Sequence, residues 1–320
     1  MASTIGIDIG GSSVEAVTRS ETGEITGRHH ASDRLQGGAQ VAASAVAAFH
    51  ALGSSDSVAV GVGVPGQVDP LTGQVRLAVN LGIGTEAFDL ASTIAAGVGL
   101  PVTVENDVRA AAVGAHEMFT LAGHRPDSVA VVSIGTGISA GVVVDGVLVR
   151  GSHGMAGEIG HVVVDENGPI CRCGQRGCLE TVAAGPAIAR TWPGGDPDAA
   201  ATALFTAAAS GDPAAQKVAA RITGYITTAL TWLAAAYDTE VVVLAGGVAS
   251  VGDDFLAVIR RQLVERAAAS ELAARRLQPD QVILADRLDP PGPRGAALIA
   301  SGNSLRERVS PAGKQASNRK

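Results

Sequence analysis

Twice along this chain an apolar, β-branched strand runs into a glycine turn and comes straight back. The first, Thr4–Ile9, passes through Asp8-Ile9-Gly10-Gly11-Ser12 and returns as Val14–Thr18. The second, Ser128–Ile134, passes through Gly135-Thr136-Gly137 and returns as Ala140–Val144, where Asp145-Gly146 makes a further hairpin turn. Strand–helix units follow each. After the first come a helix at 40–52, a strand at 58–64 ending in Pro65-Gly66, a helix at 91–97, a strand at 102–105 ending in Asn106-Asp107, and a helix at 108–119. After the second come helices at 186–190, 199–210 and 214–237, a strand at 241–244 ending in Gly246-Gly247, a helix at 253–268, a strand at 281–285 and a helix at 295–301. A doubled α/β unit predicts two related domains facing each other across a cleft. We expect them at residues 1–120 and 121–294, with the break near Phe119–Asp127, where Gly123 and Pro126 interrupt the pattern. The last helix, within 295–309, is expected to cross back to the first domain, and the polar residues 310–320 to form a mobile tail.

A length of 320 residues suits two domains at roughly 100–200 residues each. Hydrophobic residues make up 46% and charged residues 17%, with mean hydropathy +0.26, which describes a folded globular protein. The net charge of −7 and pI near 5.5 oppose a nucleic-acid surface, which needs a basic stripe. An acidic protein that holds phosphates must do so locally, with backbone amides and metal ions. No apolar run reaches the roughly 18 residues of a membrane helix, and strand residues begin at Thr4, so neither a membrane span nor a secretory signal is expected. The three cysteines are tightly clustered and cannot all pair, which favours metal binding in a reducing cytoplasm.

Cys171, Cys173 and Cys178 follow His161 within the stretch Gly157–Glu180. Three thiolates and one imidazole are a full tetrahedral ligand set for zinc and leave no open position for water, so such a metal would be structural. Two carboxylates, Glu158 and Glu180, bracket the cluster. Glu158 and His161 are three apart and share a face on a helical turn. If one ring nitrogen of His161 holds zinc, the other must carry the proton, and a fixed donor beside a carboxylate suits a polyhydroxylated ligand. The other histidines read as solvated or structural.

Asp8-Ile9-Gly10-Gly11-Ser12 offers backbone amides to an anion and a carboxylate to Mg²⁺. Gly135-Thr136-Gly137 offers the same amides. Each alone is equally an ordinary turn; two in corresponding places of two halves favour a phosphate clamp. Asp107 is either a helix cap or a general base at the end of a strand, where ligand crevices form in α/β sheets. Gly246-Gly247 leaves backbone open to a flat ring or a phosphate, or is a plain strand-to-helix turn.

Together Asp8–Ser12, Val64-Pro65-Gly66, Asn106-Asp107, Gly135-Thr136-Gly137, Glu158-Ile159-Gly160-His161 and the run Cys171–Glu180 resemble the ROK family of sugar kinases and regulators, within the actin-like ATPase superfamily. The resemblance spans Ile5 to about Ala300. It implies an α/β fold of two actin-like (ribonuclease H-like) domains around a cleft, with a structural zinc loop in the second. It implies ATP-dependent phosphorylation of a hexose, most simply glucose at its 6-hydroxyl, in the cytoplasm, by a homodimer or homotetramer. Asp107 would be the catalytic base. Asn80, Asn106, Asp107, Glu158, His161 and Glu180 would hold the sugar, and His161, Cys171, Cys173 and Cys178 the zinc. Asp8, Gly10, Gly11 and Ser12, with Gly135, Thr136 and Gly137, would cradle the phosphates and Mg²⁺, and Gly246 and Gly247 would lie under the nucleoside.

The chain departs from the family pattern in three places. Ser12-Ser13 stands for a frequent Thr-Lys, Ser139 for a usual Gly, and Gly82–Thr85 lacks a frequent aromatic. These leave open the phosphoryl donor and the sugar, with N-acetylmannosamine, N-acetylglucosamine, fructose or allose as alternatives. The competing class is a sugar-sensing regulator. Its family members carry an added N-terminal helix-turn-helix, for which a hairpin beginning at residue 4 leaves no room. A weakly catalytic sugar-binding homologue is the third reading, opposed by Asp107.

Overall fold

The computed structural model describes residues 2–32, 34–53, 56–193 and 196–302. The expected tail at 310–320 and residues 303–309 of the expected last helix lie outside the described residues. The chain runs β1 (Ser3–Ile9), β2 (Ser13–Ser20), β3 (Ile25–Ser32), α1 (Gly38–Leu52), β4 (Ser57–Val64), β5 (Gln67–Asp69), β6 (Gln74–Arg76), β7 (Phe88–Asp89), α2 (Leu90–Val98), β8 (Val102–Asn106) and α3 (Asp107–Leu121). It continues through β9 (Ser128–Ile134), β10 (Ile138–Val144), β11 (Val147–Leu148), α4 (Leu179–Ala183), α5 (Gly185–Thr191), α6 (Ala200–Ala209), α7 (Pro213–Tyr237), β12 (Val241–Ala245), α8 (Asp253–Ala269), α9 (Glu271–Arg276), β13 (Val282–Leu284) and α10 (Pro291–Ala300).

The near-repeat in the sequence becomes a repeat of topology. One sheet has the order β3-β2-β1-β4-β8 and the other β11-β10-β9-β12-β13. In each, a hairpin of antiparallel strands supplies the first members, and two parallel strands join on the far side. The turn Asp145-Gly146 has φ of 50° and 69°, the doubly left-handed form that a two-residue hairpin requires.

Alternation along the strands decides what lies on each face. On β9, Ala130, Val132 and Ile134 join an outer core with α4 to α8, while Val129 and Val131 join an inner core with Val108, Ala112 and Leu298. On β1, Ile5, Ile7 and Ile9 pack toward α1. The intervening Gly6 and Asp8 therefore face the opposite way, where α10 lies.

Helices α10 and α3 form the two inner layers between the sheets, α10 against β1 and β4, α3 against β9 and β10. They are close because glycine removes a side chain at each contact. A Cβ on Gly61 of β4 would lie 1.9 Å from the Ala296 carbonyl oxygen of α10. One on Gly295 of α10 would lie 1.8 Å from the Ala110 oxygen of α3. One on Gly141 of β10 would lie 2.3 Å from the Val108 oxygen. The last described helix thus packs on the first sheet.

Several elements carry little sequence signal. β3 (ITGRHHAS) is an edge strand whose alternate residues are only half-buried, so polar side chains replace the apolar alternation. β5, β6 and β7 form a small antiparallel sheet from strands of two or three residues, too short to show a period. Helix α3 runs to Leu121, so the expected break at 119–127 begins inside it. Helix α10 starts at Pro291, a turn earlier than expected at Gly295, because proline fits a first helical turn whose N–H groups have no partner within the helix.

Candidate active site

Strand β8 ends and α3 begins at Asn106-Asp107. The Asn106 side-chain oxygen accepts the Arg109 N–H at 3.1 Å, so Asn106 is the cap. Its amide donates to the Gly66 carbonyl at 3.3 Å, which leaves one N–H for a ligand. Asp107, in the first helical position, is not consumed as a cap; one of its oxygens accepts the Val108 N–H at 2.9 Å. Burial pushes the Asp107 carboxyl up to about 6, with the Val108 N–H opposing and the charge of Glu158 adding.

Asp8 stands at the end of β1, directly opposite Glu15 of β2. Burial raises its carboxyl well above the usual range, and Asp107 and Glu15 raise it further. Gly63 of β4 lies between the two aspartates: a Cβ there would sit 3.1 Å from an Asp8 oxygen and 3.4 Å from the Asp107 Cα. The other side of Asp8 rests against the start of α10, where a Cβ on Gly292 would meet its carboxylate at 2.2 Å.

The two glycine turns have different neighbours. In the first, Gly10 N–H donates to the Ser13 carbonyl at 2.8 Å, and Asn80 lies beside Gly11, 3.7 Å from where a Cβ would be. In the second, Gly135 N–H donates to the Gly137 carbonyl at 2.9 Å. Its carbonyl accepts Gly185 N–H at 2.8 Å, at the start of α5, and the Gly247 nitrogen lies 4.0 Å from a Cβ on Gly135. Gly135–Gly137 and Gly246-Gly247 therefore form one amide-rich surface at the ends of β9 and β12. Gly246 has φ 87° and lies against the Ile134 backbone, a conformation few other residues reach.

His161, Cys171, Cys173 and Cys178 come together, their ligand atoms within 4.8 Å of one another. Cys171 Sγ lies 3.6 Å from His161 Nδ1 and Cys173 Sγ lies 3.6 Å from Cys178 Sγ. A tetrahedral ion with metal–sulfur bonds of about 2.3 Å has ligand–ligand edges of about 3.8 Å, so the cluster fits such an ion. Burial pushes the Cys171 thiol up to about 12, whereas the Gln175 N–H and side-chain amide hold Cys173 down at about 6. A cation among them would offset the cost of the buried thiolates. The loop is shaped by Gly177, pressed onto the Asp165 carbonyl, and tied to α7 by the Tyr225 hydroxyl donating to Asp165 at 3.2 Å.

This cluster reaches both carboxylates. His161 Nδ1 faces the cysteines and lies 3.8 Å from Glu180, while Nε2 lies 3.9 Å from Glu158. Glu180 also touches the second glycine turn, its Oε2 lying 3.0 Å from a Cβ on Gly137. Glu180 thus links the cysteine loop to the second turn, and the charge of Glu158, beside His161, acts on Asp107.

Three site-adjacent residues escape sequence reading. Glu105, 1% exposed, accepts Arg109 Nε at 2.9 Å and Arg150 Nε at 2.6 Å, and Arg109 donates to the Gly154 carbonyl at 2.9 Å. The i,i+4 spacing of Glu105 and Arg109 is a local signal. Nothing local announces Arg150.

Two five-stranded sheets of one topology, with helices between them and polar strand ends converging, define an actin-like α/β fold. The family model for ROK matches residues 4–303, and the chain belongs to the ROK family. It is 34% identical over 280 residues to a glucokinase of Halalkalibacterium halodurans, covering 80% of this chain and 84% of that one. It is 31% identical over 304 residues to an N-acetylmannosamine kinase of Shigella boydii, covering 94% and 99%. Among solved structures, the ROK family glucokinase of Streptomyces griseus in complex with glucose and AMPPNP superposes with a TM-score of 0.76 at 30% identity, covering 94% and 100%.

Proposed function

We propose that this chain is a sugar kinase that transfers the γ-phosphoryl group of ATP to a hexose, most simply glucose at the 6-hydroxyl. The observation that carries the reading is Asp107: a strand-end carboxylate pushed up to about 6, with the capping role filled by Asn106. A base in that range takes a proton from a hydroxyl as the hydroxyl attacks. The O–H bond breaks toward Asp107, an O–P bond forms at the γ-phosphorus, and the bond to the bridging oxygen breaks, releasing ADP. Glu158, Glu180, the remaining Asn106 N–H and the His161 Nε2 proton would hold the other hydroxyls, with Asn80 near the first turn. The amides of Gly10–Ser12 and Gly135–Gly137 would take the phosphates, and Gly246-Gly247 the nucleoside. Asp8 would hold Mg²⁺, which when bound supplies charge neutralisation on the transferring group.

The metal of the cysteine cluster is read as structural zinc, which would fix the His161 tautomer and brace the loop between Glu158 and Glu180. Residues 1–120 with the last helix from Gly295 onward are read as one domain and 121–294 as the other, closing on the sugar to exclude water. The assembly expected is a homodimer or homotetramer.

The test is ADP release with Mg-ATP across hexoses and N-acetylhexosamines on zinc-replete protein. Turnover strongest on glucose supports the main reading. Turnover confined to N-acetylmannosamine favours the second substrate, which one relative of similar identity is named for. Silence across the panel by folded protein would refute ATP-dependent phosphorylation of these sugars and point to another phosphoryl donor, another sugar or a sensor.

A further inference from the structure

Glu105 is buried yet charged, and its partners come from three parts of the fold. One oxygen accepts the N–H of Asn106, its neighbour on β8, at 2.9 Å and Arg109 Nε from α3, also at 2.9 Å. The other accepts Arg150 Nε at 2.6 Å. Arg150 follows β11, a strand of the second sheet, whereas β8 belongs to the first. The pair therefore joins the two sheets at the strand end that carries Asp107. Arg109 adds a second tie, through its bond to the Gly154 carbonyl.

From Arg150 the chain reaches Glu158 by one short segment, and that segment is held at both ends. The Ala156 N–H donates to the Arg150 carbonyl at 3.2 Å, and the Gly157 carbonyl accepts Ala140 N–H from β10 at 2.8 Å. Met155, midway, receives the Gln67 side-chain amide from β5. A Cβ on Gly157 would lie 1.8 Å from the Ala140 oxygen, so this end has little room to shift.

We propose that Glu105 and Arg150 are positioning residues for the sugar: their ion pair sets the 150–157 segment, and so Glu158, against the strand end that presents Asp107. This rests on the sugar-kinase reading. Arg150 is 38% exposed, while Glu105 and Arg109 are buried; Arg150→Ala keeps Arg109 and the Asn106 N–H on one Glu105 oxygen and takes the partner from the other, so Tm read beside the sugar KM separates positioning from folding.

The experiment measures steady-state kinetics and thermal unfolding of Arg150→Ala, Arg150→Lys, Glu158→Gln and the Arg150→Ala/Glu158→Gln double variant, with the wild type's preferred sugar. Arg150→Ala should raise the sugar KM about tenfold, equivalent to about 1.4 kcal/mol, and leave the ATP KM within about twofold. Arg150→Lys should recover part of the loss, since it keeps the charge without the guanidinium fork. The double variant should have a sugar KM no higher than that of Glu158→Gln, because Arg150 acts through Glu158. A lowered Tm with an unchanged sugar KM would make the pair a brace and overturn this inference alone. A folded wild type inactive on every sugar would overturn it together with the kinase reading.

Discussion

The chemistry proposed for Asp107 depends on two neighbours it does not choose. Asn106 takes the capping bond, and Gly63 brings Asp8 close. The local sequence Glu-Asn-Asp marks a strand end with carboxylates, but which residue caps the helix depends on backbone angles there. Asp107→Asn should lower kcat by about 10³, within the span of general-base effects, while sugar binding by calorimetry persists. The proton is bound more tightly in the folded state than in the unfolded, since the folded carboxyl lies near 6 against an ordinary value near 4. Ionising it therefore destabilises the fold as pH rises through that window. Two outcomes follow. kcat should fall as pH drops through about 6, and Asp107→Asn should raise Tm at pH 8 by roughly 2–4 °C, the shift given by about 1 kcal/mol in larger domains. A flat acid limb in a kcat–pH profile, or a lowered Tm, would contradict this assignment.

Among the elements, the cysteine loop was the most legible, because its spacing alone states a ligand set. Its attachment was not: the Tyr225–Asp165 bond and the reach of Glu180 to the second turn come from elements far along the chain. If the cluster holds the proposed zinc, Cys173→Ala should release it, read by elemental analysis, and raise the sugar KM; metal loss with unchanged sugar affinity would refute the bracing role. Helix α10 shows the reverse case. Its glycines look like breakers in sequence, yet Gly295 is required by contact with α3. Gly295→Ala replaces a poor helix former with a good one but forces a Cβ into the Ala110 oxygen. The net effect should be a loss of more than about 2 kcal/mol in urea unfolding, since overpacking outweighs propensity here.

For the molecule as a whole, a buried charge cluster ties the layers together. Arg19 of β2 donates to Glu117 of α3, and Arg294 of α10 lies 3.6 Å from the same carboxylate. Arg294 also donates to the Gly23 carbonyl at 2.7 Å. Glu117→Gln would leave the buried Arg19 without its carboxylate and Arg294 with Asp289 alone, 3.5 Å away, and should cost about 3–5 kcal/mol in urea unfolding. A loss below about 1 kcal/mol would mean that the arginines find other partners or water. None of this was readable in advance, since Arg19 and Glu117 are 98 residues apart and Arg294 and Gly23 are 271. The sequence by itself determined what is encoded at short range: the two strand–glycine–strand hairpins, the strand-end carboxylates, the cluster of three cysteines and a histidine, and the family these resemble. The tertiary structure alone decided the edge strand β3, the small third sheet, the glycine contacts between α3 and α10, and the pairing of Glu105 with Arg150. The physical reason is that periodicity and turn chemistry act within a few residues. A buried charge or a missing Cβ acquires meaning only from the group packed against it, and chain order says little about which group that is.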